Sequence, residues 1–162
     1  MPDQESRNAQ YLQARERLAE MAGIYPQSNP FSYLALNLQN GFSISPDSME
    51  LSVQPRRVDL LIIKLAEIWG ILRSYANTEF GLLNEEIDDS LYRMFSTKNA
   101  EYGDSFAKQG AIGCFVRLSD KLQRCATIIN LDEIKHESLK DSVLDGINYC
   151  ILTTLLLLEA NG

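Results

Sequence analysis

Three runs of charged and polar side chains carry the chemistry that this sequence could perform. The segment TKNAEYGDSF, residues 97–106, gathers a lysine, an asparagine, two carboxylates and a tyrosine around Gly103. A second run, mostly basic, follows at helical spacing (Arg117, Asp120, Lys121 and Arg124). A third run holds acids four residues apart (Glu137, Asp141 and Asp145). These spacings place each of the last two runs on one face of a helix.

The two charged faces together predict a site for phosphate groups and a divalent cation. Like charges four residues apart repel each other by roughly 0.2–0.5 kcal/mol, so the acidic face needs a basic face or a metal opposite it. Arginine grips phosphate oxygens through its planar fork, and the basic face carries two arginines. Converging carboxylates are the usual ligands of Mg²⁺, which bridges nucleotide phosphates. The alternative is a solvated face with ion pairs between helices.

Helical periodicity predicts the elements that must position these groups. Apolar residues three and four apart, such as Leu61, Leu65 and Leu72, indicate buried helix faces, and no long alternating pattern favours strands. The predicted elements are a polar N-terminal helix and four core helices (residues 4–22, 58–77, 84–102, 111–129 and 136–159). We place Asn84 as an N-cap and Gly103 as the residue that ends the third helix.

This pattern predicts an all-α fold with a four-helix-bundle-like core. Residues 1–56 form the N-terminal helix and a long irregular arm that is rich in proline, with a short helix near 33–38. Such an arm covers a site or a neighbouring subunit, or is a plain linker. Residues 57–162 form the core that carries the nucleotide-binding and catalytic groups.

Composition narrows the classes of partner. The net charge of −7 argues against binding of nucleic acid, whose phosphates would be repelled. Three cysteines within apolar helical patterns predict buried free thiols, and a single histidine argues against a zinc site. The sequence begins without a signal-peptide pattern, and the apolar run YCILTTLLLLEANG is shorter than the roughly 20 residues that span a bilayer. We therefore expect a cytoplasmic protein with no membrane partner.

Three blocks of the sequence resemble a known family. KNAEYGDSF, RLSDKLQR and ESLKDSVLDGINY occur in the order of the signature of nucleotide modification associated domain, type 1, a phage and bacterial family. The similarity covers roughly residues 84–158. That family is related to the MazG-like nucleoside triphosphate pyrophosphatases, which are all-α bundles that form dimers or tetramers. The resemblance implies the same fold and a homodimer or homotetramer.

The resemblance also implies an activity. MazG-like enzymes cleave an NTP or dNTP between the α and β phosphates, using water activated by Mg²⁺ or Mn²⁺ and carboxylates. Their acidic pairs are spaced by three residues, whereas the acids from Glu137 to Asp145 are spaced by four. The other acidic pair is open among Glu101 with Asp104, Asp120 alone, or the set Glu85, Glu86 and Asp89. Some viral relatives act on purine deoxynucleotides, of which dGTP is one, to shape a modified-base genome.

We therefore expect a metal-dependent (d)NTP pyrophosphatase that acts in nucleotide-pool control or base modification, in the host cytoplasm if phage-encoded. The expected metal ligands, for Mg²⁺ or Mn²⁺, are Glu101, Glu137, Asp141 and Asp145. The expected catalytic residues are Glu101, Asp120 and Lys121. The expected substrate-binding residues are Lys98, Asn99, Tyr102, Asp104, Arg117, Arg124 and Asn148. The alternatives are a nucleotide-binding sensor without catalysis and an oligomeric interaction protein.

Overall fold

A computed structural model describes residues 2–22, 55–131 and 136–161, without the side chains of residues 55–57, 60, 136 and 161. These residues form five α-helices: α1 (Gln4–Met21), α2 (Pro55–Phe80), α3 (Asn84–Tyr102), α4 (Gly110–Ile129) and α5 (His136–Asn161). A short 3-10 helix, Ser105–Ala107, lies between α3 and α4. The prediction of an all-α fold with a bundle-like core is confirmed. The predicted short helix near 33–38 lies outside the described residues.

Local chemistry sets the ends of α2 and α3. Helix α2 ends before Gly81, which has a φ of 64°. The prediction of Asn84 as the N-cap of α3 was wrong, since the N-cap is Leu83. Glu86 Oε1 instead accepts a hydrogen bond from the Leu83 backbone N–H at 3.1 Å. The φ of 62° at Gly103 ends α3 as expected.

Helix α5 forms the centre of the core. It packs against α4, α2 and α1, and its residues 150–157 are all buried. The hydroxyls of Thr153 and Thr154 donate to carbonyls four residues earlier, at 2.6 and 2.8 Å, so burial leaves neither donor unpaired. At Gly146 a Cβ atom would lie 3.0 Å from Leu72 Cδ1, so the small residue allows α5 to cross α2 closely.

The burial of α5 bears on two expectations. The segment Glu137–Ala160 is long and apolar enough, by length and composition, to cross a membrane. The shorter run YCILTTLLLLEANG at the end of this helix did not indicate this. Within the protein 61% of its most apolar window is buried, as in the central helix of a helical core. Its apolar residues are covered by helices of the same chain, so they do not by themselves require a second subunit.

Helix α1 belongs to the same hydrophobic core. Tyr11, Ala14 and Leu18 are fully buried in it. The ring of Tyr11 stacks on that of Phe95 in α3, with 4.4 Å between centroids. Arg7 lies on the same face and is only 2% exposed. The helix therefore contributes both apolar packing and a buried cation to the part of the molecule that surrounds α3 and α5.

The three cysteines are free and buried, as the sequence predicts. Burial raises the pKa of Cys114 to about 11 and that of Cys125 to about 12. Burial also raises the pKa of Cys150. Thiols with such raised pKa values stay protonated at neutral pH and are poor nucleophiles. The cysteines are therefore part of the packing of α4 and α5.

Candidate functional site

A cavity of about 220 Å³ lies where the C-terminal half of α3 meets α4, α5 and the short 3-10 helix. Its polar lining residues come from all four elements (Lys98, Asn99, Ser105, Arg117, Asp145 and Asn148). Its remaining lining residues are mainly apolar or aromatic (Met94, Phe95, Gly103, Phe106, Tyr149 and Leu152). The rings of Phe95 and Phe106 meet edge to face, with 5.5 Å between centroids.

Five residues singled out from the sequence meet at this cavity: Lys98, Asn99, Arg117, Asp145 and Asn148. Lys98 and Arg117 are exposed, whereas Asn99 is 93% buried, so the cations lie at the rim and one amide lies deep. Tyr149, interpreted from the sequence as core, is half-buried and forms part of the wall. One residue of the basic face, Arg117, and one of the acidic face, Asp145, therefore line the same cavity.

The other predicted residues do not line the cavity. Six of them, at the end of α3 and along α4 and α5, are exposed to solvent (Glu101, Tyr102, Asp120, Arg124, Glu137 and Asp141). Helices α4 and α5 are antiparallel, because Lys121 pairs with Asp145 while Arg117, four residues earlier, shares the cavity with Asn148, three residues later. Arg124 is seven residues past Arg117, about 10 Å further along α4. Only one end of each charged face therefore reaches the cavity.

Asp104 is buried against α1 and pairs with Arg7. Its Oδ2 lies 3.1 Å from Arg7 Nε, and the side chains are 7% and 3% exposed. Arg7 also contacts the carboxylate of Glu159, and its guanidinium lies 5.3 Å from the ring centroid of Phe106. A buried cation needs a carboxylate partner, so Asp104 compensates Arg7. The residue's expected role as a substrate contact has no support from this geometry.

Asp145 and Lys121 form an ion pair between α5 and α4. The Nζ–Oδ2 distance is 3.0 Å, and the side chains are 38% and 29% exposed. A pair with this exposure contributes roughly 0–1 kcal/mol to stability. The interhelical ion pair, which was the alternative interpretation of the charged faces, is therefore present at this position.

The acidic residues do not form a ready metal cage. Among the described residues there is no group of three or more His, Cys, Asp or Glu side chains placed to hold an ion. Asp141 and Glu137 are exposed, and the carboxylate of Asp145 is paired with Lys121. The alternative acidic set (Glu85, Glu86 and Asp89) lies at the start of α3, where Glu86 has a structural role because it caps the helix.

One face of α1 holds three polar residues of this region. Gln4 Oε1 accepts from Asn99 Nδ2 at 3.0 Å, and Arg7 pairs with Asp104. Tyr11 donates from its hydroxyl to Asn148 Oδ1 at 2.5 Å, and burial raises the pKa of Tyr11, so that donor stays protonated. The three α1 residues are spaced by three and four, which puts them on one helix face.

Sequence reasoning missed this face, although a signal existed. Arg7, Tyr11, Ala14 and Leu18 follow one another at spacings of four, three and four. A cation that shares the apolar stripe of a helix is predicted to be buried, and a buried cation needs an acid from another element. The identity of that acid, 97 positions away, depends on tertiary packing.

The arrangement suits a ligand with an anionic end and a planar ring. Two exposed cations, two amides and a carboxylate line the cavity together with aromatic rings. Comparisons with protein-family models, with curated proteins and with solved structures found no match to this chain.

Proposed function

We propose that the cavity binds a nucleoside triphosphate and that the protein hydrolyses it to a monophosphate and pyrophosphate. The observation that carries the proposal is the meeting of Lys98 and Arg117 at the rim of a cavity with an aromatic wall and a buried amide floor. Cations at the rim neutralise phosphate oxygens, and rings stack against a base.

Charge and size favour a small phosphorylated ligand. Arg117 forms no ion pair with any carboxylate in the described part of the chain, so its fork is available to an anion. The cavity of about 220 Å³ is smaller than the roughly 300–1,000 Å³ of sites that enclose a drug-sized ligand. It can hold the nucleoside part of a nucleotide while the phosphates lie at the rim. The net charge of −7 disfavours a nucleic-acid polymer.

The hydrolytic part of the proposal is supported by the resemblance of the three sequence blocks and by the carboxylate of Asp145 in the cavity wall. The requirement for Mg²⁺ or Mn²⁺ stays a prediction. So do a role in base modification or nucleotide-pool control, a homo-oligomeric state and a cytoplasmic location.

Binding without hydrolysis is the second candidate function. The observation that favours it is the lack, among the described residues, of a group of three side chains placed to hold a metal ion. Such a protein would be a nucleotide sensor that uses the same cavity. The two candidates share every prediction about binding and differ only in turnover.

A binding and turnover assay tests both candidates. We expect a panel of NTPs and dNTPs that includes dGTP, with Mg²⁺, Mn²⁺ or EDTA, to raise the melting midpoint for at least one triphosphate. Pyrophosphate release with that ligand identifies the enzyme. The double variant Lys98→Ala, Arg117→Ala should lose most of the ligand-induced shift.

The matched control is Lys108→Ala, because Lys108 is exposed and does not line the cavity. It should keep the shift. A shift without pyrophosphate release under any metal condition supports the sensor. If no triphosphate changes the midpoint, the proposal is wrong.

A further inference from the structure

Asn99 is the least exposed of the polar residues that line the cavity, and the oxygen of its side-chain amide lacks a hydrogen-bond partner. The residue is 7% exposed. Its Nδ2 donates to Gln4 Oε1 at 3.0 Å. Its Oδ1 is buried and has no hydrogen-bond partner among the described groups. A buried acceptor that is left unpaired destabilises the folded state, so such an atom on a residue that lines a cavity points to a donor on a ligand.

The hydrogen-bond network fixes which end of the Asn99 amide is left without a partner. Gln4 Nε2 lies 3.3 Å from the carbonyl oxygen of Ser96 and 2.8 Å from Asn8 Oδ1. A backbone carbonyl only accepts, so the NH₂ group of Gln4 must point to it and its oxygen must point to Asn99. Asn99 therefore turns its own NH₂ group to Gln4, and its oxygen remains as an acceptor.

We infer that Asn99 Oδ1 is a specificity-determining acceptor that takes a neutral O–H or N–H donor of the nucleoside, so that the nucleotide enters nucleoside first. The inference rests on the proposed function. Phosphate oxygens are acceptors at neutral pH and cannot donate to Oδ1. The phosphates must then lie at the rim with Lys98 and Arg117, both of which are exposed.

Asn148 supplies the complementary group. Its Oδ1 accepts from Tyr11, so its NH₂ group is the part of the amide left to donate. Two residues of the cavity lining, Asn99 and Asn148, thus carry one unpaired acceptor and one unpaired donor whose orientations the network fixes. A sugar hydroxyl and a base N–H or NH₂ are the two sources of the donor that Asn99 requires, and they can be told apart by removing each from the ligand.

The test compares matched ligands on the full chain. For the triphosphate that shifts the midpoint most, affinity is measured for the parent, for its 3′-deoxy analogue and for a second set of base analogues. This second set lacks the amino group or carries a methyl group on the ring N–H, such as dITP and N1-methyl-dGTP for dGTP. The wild type should reject one analogue by roughly tenfold to a hundredfold, because Oδ1 then stays unpaired. Loss of affinity with the first analogue assigns the sugar, and loss with the second set assigns the base.

Two variants locate the discrimination. Asn99→Leu should bind the parent and the analogue within about twofold of each other, since neither can satisfy an absent acceptor. Gln4→Leu leaves Asn99 in place but frees its amide to rotate, so discrimination should fall mainly through tighter binding of the analogue. This second variant keeps the test decisive if Asn99→Leu fails to fold. Gln123→Leu, at an exposed amide on α4, is the control and should discriminate as the wild type does.

The orientation of the ligand has its own readout. Lys98→Ala with Arg117→Ala should weaken the parent and the analogue by the same factor, because the phosphates are present in both. If triphosphates bind but wild type and Asn99→Leu treat parent and analogues alike, a water satisfies Oδ1 and this inference alone is wrong. If no triphosphate binds, the proposed function fails and the inference fails with it.

Discussion

Replacing Arg7 with methionine tests the ion pair that joins α1 to the turn after α3. The guanidinium of Arg7 lies 3.1 Å from the Asp104 carboxylate, contacts Glu159 and covers the ring of Phe106. Methionine keeps a long apolar side chain but removes the charge and its hydrogen bonds. The carboxylate of Asp104, which is 7% exposed, is then left buried without its cation.

The expected loss follows from burial. Removing one partner of a buried pair costs roughly 3–5 kcal/mol. Glu159 is 36% exposed and adds no more than about 1 kcal/mol, as a surface pair does. In a chain of 162 residues each kcal/mol lowers the melting midpoint by about 2–4 °C. We therefore expect Arg7→Met to lose roughly 3–6 kcal/mol in urea titrations and to melt roughly 6–24 °C lower.

A double-mutant cycle separates the pair from packing. Asp104→Leu combined with Arg7→Met removes both charges, so the double variant should be more stable than the sum of the single losses predicts, by roughly 1–3 kcal/mol. Arg17→Met is the control, since Arg17 is 43% exposed and its contact with Glu20 is 4.0 Å long. It should change stability by less than about 0.5 kcal/mol. A loss below about 1 kcal/mol for Arg7→Met, or no coupling, would refute the reasoning and return Asp104 to the list of ligand contacts.

Three further outcomes are expected. Because burial raises the pKa of Cys114 and Cys125 above 9.0, the folded state keeps protons that the unfolded state releases. The free energy of unfolding should be at its plateau below about pH 9 and should fall above it, by up to roughly 1.4 kcal/mol per pH unit for each thiol. Urea titrations at pH 8 and pH 10 check this, and equal free energies of unfolding would contradict it. Gly103→Ala should cost roughly 1–3 kcal/mol in the same titrations, because a φ of 62° with a ψ of −150° strains any residue with a Cβ, although no atom lies within 4 Å of that position. Lys121→Ala should change stability by at most about 1 kcal/mol, and an unchanged rate of pyrophosphate release would exclude the catalytic role predicted for Lys121.

Periodicity predicted the helices because burial repeats along the chain. Leu61, Leu65 and Leu72 are 3% exposed or less, as a stripe of spacing three and four requires. The ends were less predictable: the Glu86 side chain, rather than that of Asn84, caps α3. Capping depends on which of several nearby polar side chains reaches the exposed N–H groups, and the sequence does not decide this.

The site was predicted where its residues are neighbours along the chain and missed where they are distant. Lys98 and Asn99 are adjacent in sequence, and Arg117 lies on the helix that follows, so the sequence placed these three cavity-lining residues together. Asp141 shares a face with Asp145, but the face extends away from the cavity, and its direction depends on how α5 packs against α4. Residue spacing shows which side chains share a helix face, whereas the part of that face that lines a cavity depends on how the helices pack.

The role of α1 follows from the same distinction. Its apolar positions are sparse, so the sequence places α1 beside the core. In the structure three of its side chains contact polar residues of the site region (Gln4 with Asn99, Arg7 with Asp104 and Tyr11 with Asn148). Each contact fixes a polar group that solvent would otherwise leave mobile: an amide orientation, a buried carboxylate and a second amide. Preorganised groups bind a ligand without the entropy cost of ordering them. We therefore expect the affinity of the proposed ligand to depend on the docking of α1, although no residue of that helix lines the cavity. The N-terminal helix is in this sense part of the candidate site, although the charged faces that first indicated the site lie on α4 and α5.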